Sequence, residues 1–204
     1  MTSPYKHTRH PPPQSAVLTW EDRVEGYRQE PVVRKVLDLL EKKSLSIDLS
    51  CIKECHGYLP FLREKDSAVR QINGPDDFDR IIDLVNELNV LKDRVSSILL
   101  RYRDVKSRLE RGRDLVRHHI TLKREVMSAL KNENQRVALL GQIMPEMEDR
   151  ICECDRVIGA ADTVYKSLNQ TYNLLKIQVE AMSQMFYQAG LSNVENKLNK
   201  KLQR

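Results

Sequence analysis

From Asp79 to Tyr187, apolar residues recur at alternating spacings of three and four. Read in sevens from Ile81, the first positions run Ile81, Leu88, Val95, Tyr102, Leu109 and Val116, and later Met144, Ile151, Ile158, Tyr165, Tyr172, Val179 and Phe186. The fourth positions run Leu84, Leu91, Ile98 and Val105, and later Leu140, Met147, Cys154, Ala161, Leu168, Leu175 and Met182. Lys123, Gly112, His119 and Glu133 interrupt the pattern. A seam this long predicts helices packed along a narrow stripe, as in a coiled coil. The fold class is therefore all-α.

One phase over this length fits either a single rod or two arms folded back on each other. The polar run Lys131-Asn132-Glu133-Asn134 is poor in helix formers and predicts a turn near 131–135, between arms of about 79–131 and 135–188. Charge favours the hairpin. The fifth heptad positions carry Lys92, Lys106 and Arg113 in the first arm, against Glu148, Asp155 and Asp162 in the second. Folding about residue 134 pairs Arg113 with Asp155 and Lys106 with Asp162. A parallel homodimer would instead oppose Arg101 to Lys106 and Arg108 to Arg113. Pro145 lacks an N–H for the helix ladder, so it either kinks the second arm or begins it after a longer turn.

The rest of the chain divides around this hairpin (75–189). Residues 1–30 read as an extended basic arm through Pro11-Pro12-Pro13, with Trp20 as a candidate anchor. Residues 31–74 read as a bundle of short helices. Pro31 opens the first, with Val33, Val36, Leu37 and Leu40 on one face; a second runs from Cys51 to about Tyr58, and Pro60 opens a third. Residues 190–204 form a basic tail in which Val194, Leu198 and Leu202 make a thin apolar stripe.

Composition narrows the function classes. Of 204 residues, 31% are charged and 5% aromatic, a profile that suits an extended helical binding protein better than an enzyme with a deep pocket. No stretch approaches the length of an apolar membrane span, and the N-terminus lacks the apolar core of a secretory signal. Cysteines at 51, 55, 152 and 154 do not form a small-domain disulfide framework, and their spacing with His56 is not that of a zinc finger. The expected setting is intracellular or cytoplasmic, or host cytoplasm and virion for a phage-encoded chain. No metal, cofactor, small-molecule substrate or membrane is expected, and no catalytic residues are assigned. His118-His119 have no paired nucleophile or metal motif.

Two features carry candidate binding. The stretch 101–124 holds nine cations against Asp104, Glu110 and Asp114. Arg101, Arg103, Arg108, Arg111, Arg117 and Arg124 are candidates for contact with a single-stranded nucleic acid, since so dense a face can neutralise a phosphate backbone. Among them Arg103, Arg117 and Arg124 share the second heptad position and read as a free row pointing away from the seam. The alternative is a solvated face partly matched by the second arm. The other feature is the seam itself, with Tyr165, Leu168, Tyr172, Leu175, Val179, Met182 and Phe186 as candidate partner or oligomer contacts. Met144, Met147, Met182 and Met185 supply adaptable packing. At Gly112 the missing side chain permits a close helix crossing.

Ile47-Asp48-x-Ser50-x-Ile52, followed by Pro60-x-Leu62-x-x-Lys65, resembles the N-terminal pattern of the UvsY-like recombination mediators of T4-type phages. Leu168-Asn169-Gln170-Thr171-Tyr172-Asn173-Leu174-Leu175-Lys176 is similar to that family's C-terminal helix, and the basic run from Tyr102 to Gly112 to its cationic helix. The resemblance implies an oligomer that binds single-stranded DNA and loads a partner protein. The architecture alone leads us to expect a non-enzymatic structural or interaction protein, a homo-oligomer within a larger multi-subunit assembly such as a phage's.

Overall fold

The computed structural model describes residues 19–73, 77–130 and 132–202. Every regular element among them is helical: α1 (Trp20–Arg28), α2 (Pro31–Leu40), a 3-10 turn (Lys43–Leu45), α3 (Ser50–Arg70), α4 (Phe78–Thr121), α5 (Arg124–Ala129), α6 (Glu133–Ile143) and α7 (Pro145–Leu202). The long elements α4 and α7 pack antiparallel, giving the expected hairpin. Ile81, Leu84, Leu88, Leu91, Val95, Ile98, Tyr102, Val105, Leu109 and Val116 are all buried, so the heptad phase of the first arm is the phase of its core.

The pairing register differs by one heptad from that expected. Lys106 bonds Asp155 at 2.6 Å rather than Asp162, and Arg113 reaches Glu148 at 3.6 Å rather than Asp155. Asp162 is taken by Arg103 at 3.0 Å. A shift of seven residues leaves the same faces opposed, which is why periodicity alone does not exclude it. The cause lies in the connection. The tight turn expected near 131–135 is an elbow over residues 122–144 that contains α5 and α6. Asn132 caps α6 by accepting from the Gln135 amide at 2.9 Å, and Pro145 opens α7 at its first position, where a missing N–H costs nothing. Within the elbow the heptad phase holds only in part: Val126, Leu140 and Met144 are buried on phase, but Val137 is 52% exposed on phase and Leu139 and Ile143 are buried off it.

A third long helix changes the hairpin into a bundle. The segment expected as two short helices is one, α3, with Pro60 inside it. Proline removes the bond to the carbonyl of His56, but both residues lie on the exposed face, so that carbonyl is open to solvent. α3 runs antiparallel to α4. At one end the Tyr102 hydroxyl accepts from the Asp48 amide at 3.0 Å; further along Glu54 pairs with Arg94 at 2.8 Å, and then Lys65 with Glu87. Cys51, Cys55, Leu62 and Val69 point into the core. Because α7 faces two helices, its apolar stripe is wider than a coiled-coil seam. Val157, Val164 and Thr171 are fully buried beside half-buried Ile158, Tyr165 and Tyr172. Thr171 meets the cost of burying a hydroxyl by donating to the Ser167 carbonyl at 3.2 Å.

The N-terminal helices close the elbow end. The extended arm expected over 1–30 is helical from Trp20; its portion over residues 1–18 lies outside the described residues. Thr19 and Asp22 form a reciprocal capping box that starts α1. Trp20 Nε1 donates to Gln142 at 2.8 Å, and Arg28 donates to the Ile143 carbonyl at 2.8 Å and pairs with Glu146 at 2.7 Å. Arg28 thereby satisfies a carbonyl at the end of α6 while holding an acid of the first turn of α7. α2 buries Val33, Val36 and Leu40, and crosses α4 at Gly112, where an added Cβ would sit 3.1 Å from Val36 Cγ1. α7 continues as helix through Leu202, across the stretch expected as a separate tail.

Candidate functional site

The bundle sorts the cations of 101–124 onto two flanks of α4. One flank faces acids of α7 and α6. Arg103 meets Asp162, Lys106 meets Asp155, Arg113 meets Glu148, and Arg117 meets Glu133. The hydrogen bond that Lys106 donates to the Asp155 carboxylate holds the Lys106 ammonium above its usual range. The row expected to be free is therefore not free: Arg103 and Arg117 are both ion-paired, and Arg124 alone of the three has no carboxylate partner among the described residues. The heptad reading placed Arg103 and Arg117 correctly off the seam. It missed that second-position arginines are long enough to reach back across it, and that Glu133 is delivered by α6 rather than by α7.

The other flank faces the N-terminal segment. Arg101 approaches the Asp48 carboxylate, whose pKa is held down chiefly by its hydrogen bonds with Ser50, with Arg101 adding to the effect. Arg108 pairs with Asp104 of its own helix at 2.9 Å. Arg111 donates to the Ser107 carbonyl at 3.2 Å. Both arginines line a groove of about 670 Å³ between α4 and the α2–3-10 segment, to which Lys42 and Leu39 contribute from the far side. Lys42 was not singled out from the sequence. The α2–α4 crossing that brings it there is a long-range contact with no local signal beyond Gly112.

Along α7, the candidate partner seam also divides. Leu168, Leu175 and Met182 are buried within the bundle, and Tyr165 and Tyr172 are half-buried. The Tyr172 hydroxyl donates to Asn89 of α4, and burial raises its pKa. These positions are core. Gln178 donates to the Ile72 carbonyl at the end of α3, and this contact and Met182 mark the end of the bundle. From there α7 runs on through Leu202, about 30 Å further at 1.5 Å per residue. On this projection Phe186 is 48% exposed, Met185 61% and Tyr187 71%, with Val179 exposed at its root. Val179 and Phe186 continue the heptad phase of the seam but are exposed, with no buried contact among the described residues covering them as the bundle covers Leu175.

The cysteines stand apart from both features. Burial pushes the Cys55 and Cys154 thiols up to about 11, which keeps them protonated and unreactive. Cys51 approaches the Tyr102 hydroxyl at 3.6 Å, and Cys152 is exposed. No family model, curated protein or solved structure matches the chain. Among the described residues no helix is long and apolar enough to cross a membrane.

His119 and Lys123, which interrupt the seam, serve the elbow. Both contact Glu30, between α1 and α2: His119 Nε2 lies 2.7 Å from one carboxylate oxygen and Lys123 Nζ 2.5 Å from the other. Lys123 also lies over the Tyr27 ring, and the Tyr27 hydroxyl donates to Glu125 at 3.2 Å. Burial alone would raise the Glu30 pKa, but the hydrogen bonds from Lys123 and His119 outweigh it and hold the carboxyl below its usual value.

Proposed function

We propose that this chain is a non-enzymatic interaction protein that works inside a larger multi-subunit assembly, using the projecting end of α7 to associate with other chains. The observation that carries this reading is the uncovered continuation of the seam. Val179 and Phe186 hold first heptad positions, which are buried or half-buried along α7 from Ile151 to Tyr172, yet they lie exposed beside Met185 and Tyr187. Burying side chains of this size on association is worth roughly 1.5–3 kcal/mol each, so a few suffice for a specific contact. The occupant favoured here is another copy of the chain, since a helix that already packs by heptads presents the same knobs to its own kind.

Single-stranded DNA is the weaker reading of the cationic face. Arg103, Arg108 and Arg117 each have a carboxylate partner, and Tyr102, the aromatic ring within the stretch, is buried and offers no platform for base stacking.

Sedimentation equilibrium of the full chain tests the proposal. Wild type should self-associate at micromolar concentration, and the triple change Val179→Ser, Met185→Ser, Phe186→Ser should remain monomeric with an unchanged melt. A monomeric wild type at about 100 μM, a concentration at which a contact worth roughly 8 kcal/mol is saturated, would refute self-association.

A further inference from the structure

The groove between α2 and α4 has no role in the self-association proposed above. Its chemistry is mixed in a specific way. Lys42, Arg108 and Arg111 supply three cations, against the single carboxylate of Asp104. The floor is apolar, formed by buried Val36 and Leu45. The rim adds Leu39, half-buried, and Leu115, which is 55% exposed. Lys42 has no carboxylate partner among the described residues, and the backbone bond of Arg111 uses only its Nε, leaving both terminal amino groups for another acceptor. The Arg108–Asp104 pair lies one turn apart on an exposed helix, with both side chains about half exposed. Such pairs are worth only a few tenths of a kcal/mol, so Arg108 can be re-paired at little cost.

We infer that this groove docks a short acidic segment of a partner protein that carries leucine-like side chains between its carboxylates. Two features select that occupant. The net positive lining calls for carboxylates, which the arginine guanidinium accepts in bidentate fashion. The apolar floor and Leu115 call for an aliphatic side chain, which a nucleic acid does not offer, and none of the lining residues is an aromatic that could stack a base. A volume of about 670 Å³ is in the range of sites that bury several side-chain groups. Gly112 sits in the lining, and the absence of a side chain there lets α2 approach α4 and form the groove's wall.

Fluorescence anisotropy at about 150 mM salt, where long-range attraction is screened, tests the inference. Three labelled probes are compared on the full chain: a twelve-residue glutamate peptide with two leucines four residues apart, the same peptide with serine for leucine, and a twelve-nucleotide oligothymidine. The leucine peptide should bind, and the serine peptide should bind roughly tenfold more weakly, the effect of losing about 1.4 kcal/mol of apolar contact. The double change Arg108→Glu, Arg111→Glu should abolish binding of the leucine peptide, and Leu115→Ser should weaken it several-fold. All of these sites are on the surface, so melting curves should be unchanged, and sedimentation of the same variants should leave α7-mediated association intact. Equal binding of the leucine and serine peptides would overturn the inference, as would retention of binding by the double variant. So would oligothymidine binding that the double variant abolishes, or no anisotropy change with the leucine peptide at millimolar protein.

Discussion

Gly112 shows how one residue sets a long-range contact. It occupies a seam position of α4, where a larger side chain would be the rule, and its place is filled from outside by Val36 of α2 and by Met147. A methyl added at Gly112 would lie 3.1 Å from Val36 Cγ1 and 3.6 Å from Met147 Cε. Val36 is β-branched and almost wholly buried, so it has little room to yield. Two effects then compete in Gly112→Ala. The helix gains about 1 kcal/mol from the better helix former, and crowding takes back a similar amount. The expected melt is within about 1 kcal/mol of wild type. Gly112→Leu has no such balance and should destabilise by roughly 1–3 kcal/mol or more, with protease cleavage appearing first in α2 as it lifts from α4. A leucine variant as stable as wild type would mean that α2 does not rest there.

At the scale of elements, the register of α4 against α7 is the sharpest claim. Cysteines at positions 106 and 155 should be joined within one chain by a short bis-maleimide, while cysteines at 106 and 162 should not, because one heptad displaces them by about 10 Å along the helix. Efficient crosslinking of the second pair alone would restore the tighter turn. Much of this architecture was legible in the sequence. The heptad phase identified most of the buried face of α4, from Ile81 to Val116, though not Leu99 or Ile120; the fifth-position charges selected the antiparallel arrangement, and Pro145 offered a place where α7 begins. The one-heptad error arose because a period of seven cannot distinguish registers that differ by seven, and the elbow that decides between them is held by tertiary contacts such as Arg28 with the Ile143 carbonyl. The capping box of α1 was legible in Thr19-x-x-Asp22 but was masked by the prolines before it. The unbroken course of α3 through Pro60 could not be read locally, because a proline is tolerated there only by virtue of which face it takes in the bundle. The groove beside Gly112 depends on the same tertiary placement.

At the scale of the molecule, two ends with different characters follow from the chain's layout. The α3–α4–α7 end closes on apolar packing and then releases α7 as a projection. The elbow end is tied by ion pairs between the N-terminal helices and the turn: Arg28 with Glu146, and Glu30 with His119 and Lys123. Glu30 and Glu146 both have carboxyl pKa values below their ordinary value of 4.5, Glu146 chiefly through the hydrogen bond from Arg28. A carboxyl with a depressed folded-state pKa contributes stability that is fully present above the unfolded value and is lost as pH falls through the folded one. The elbow end should therefore loosen below about pH 4.5, ahead of the apolar end. Hydrogen exchange measured at pH 7 and again near pH 4 should show protection falling first in α1, α2 and α6, with the middle of α4 and α7 still protected. Replacing both acids, Glu30→Gln with Glu146→Gln, should lower stability at pH 7 and flatten its dependence on pH over this range. The lysine, arginine and histidine that these acids face would remain, so the loss at neutral pH exceeds that of an exposed pair. If protection fell evenly along the whole bundle, or if the double variant kept the wild-type acid slope, the N-terminal helices would be held by α2's apolar face on α4 rather than by these charges. The projection of α7 carries neither acid, so self-association through Val179 and Phe186 should persist under conditions that have already released the elbow.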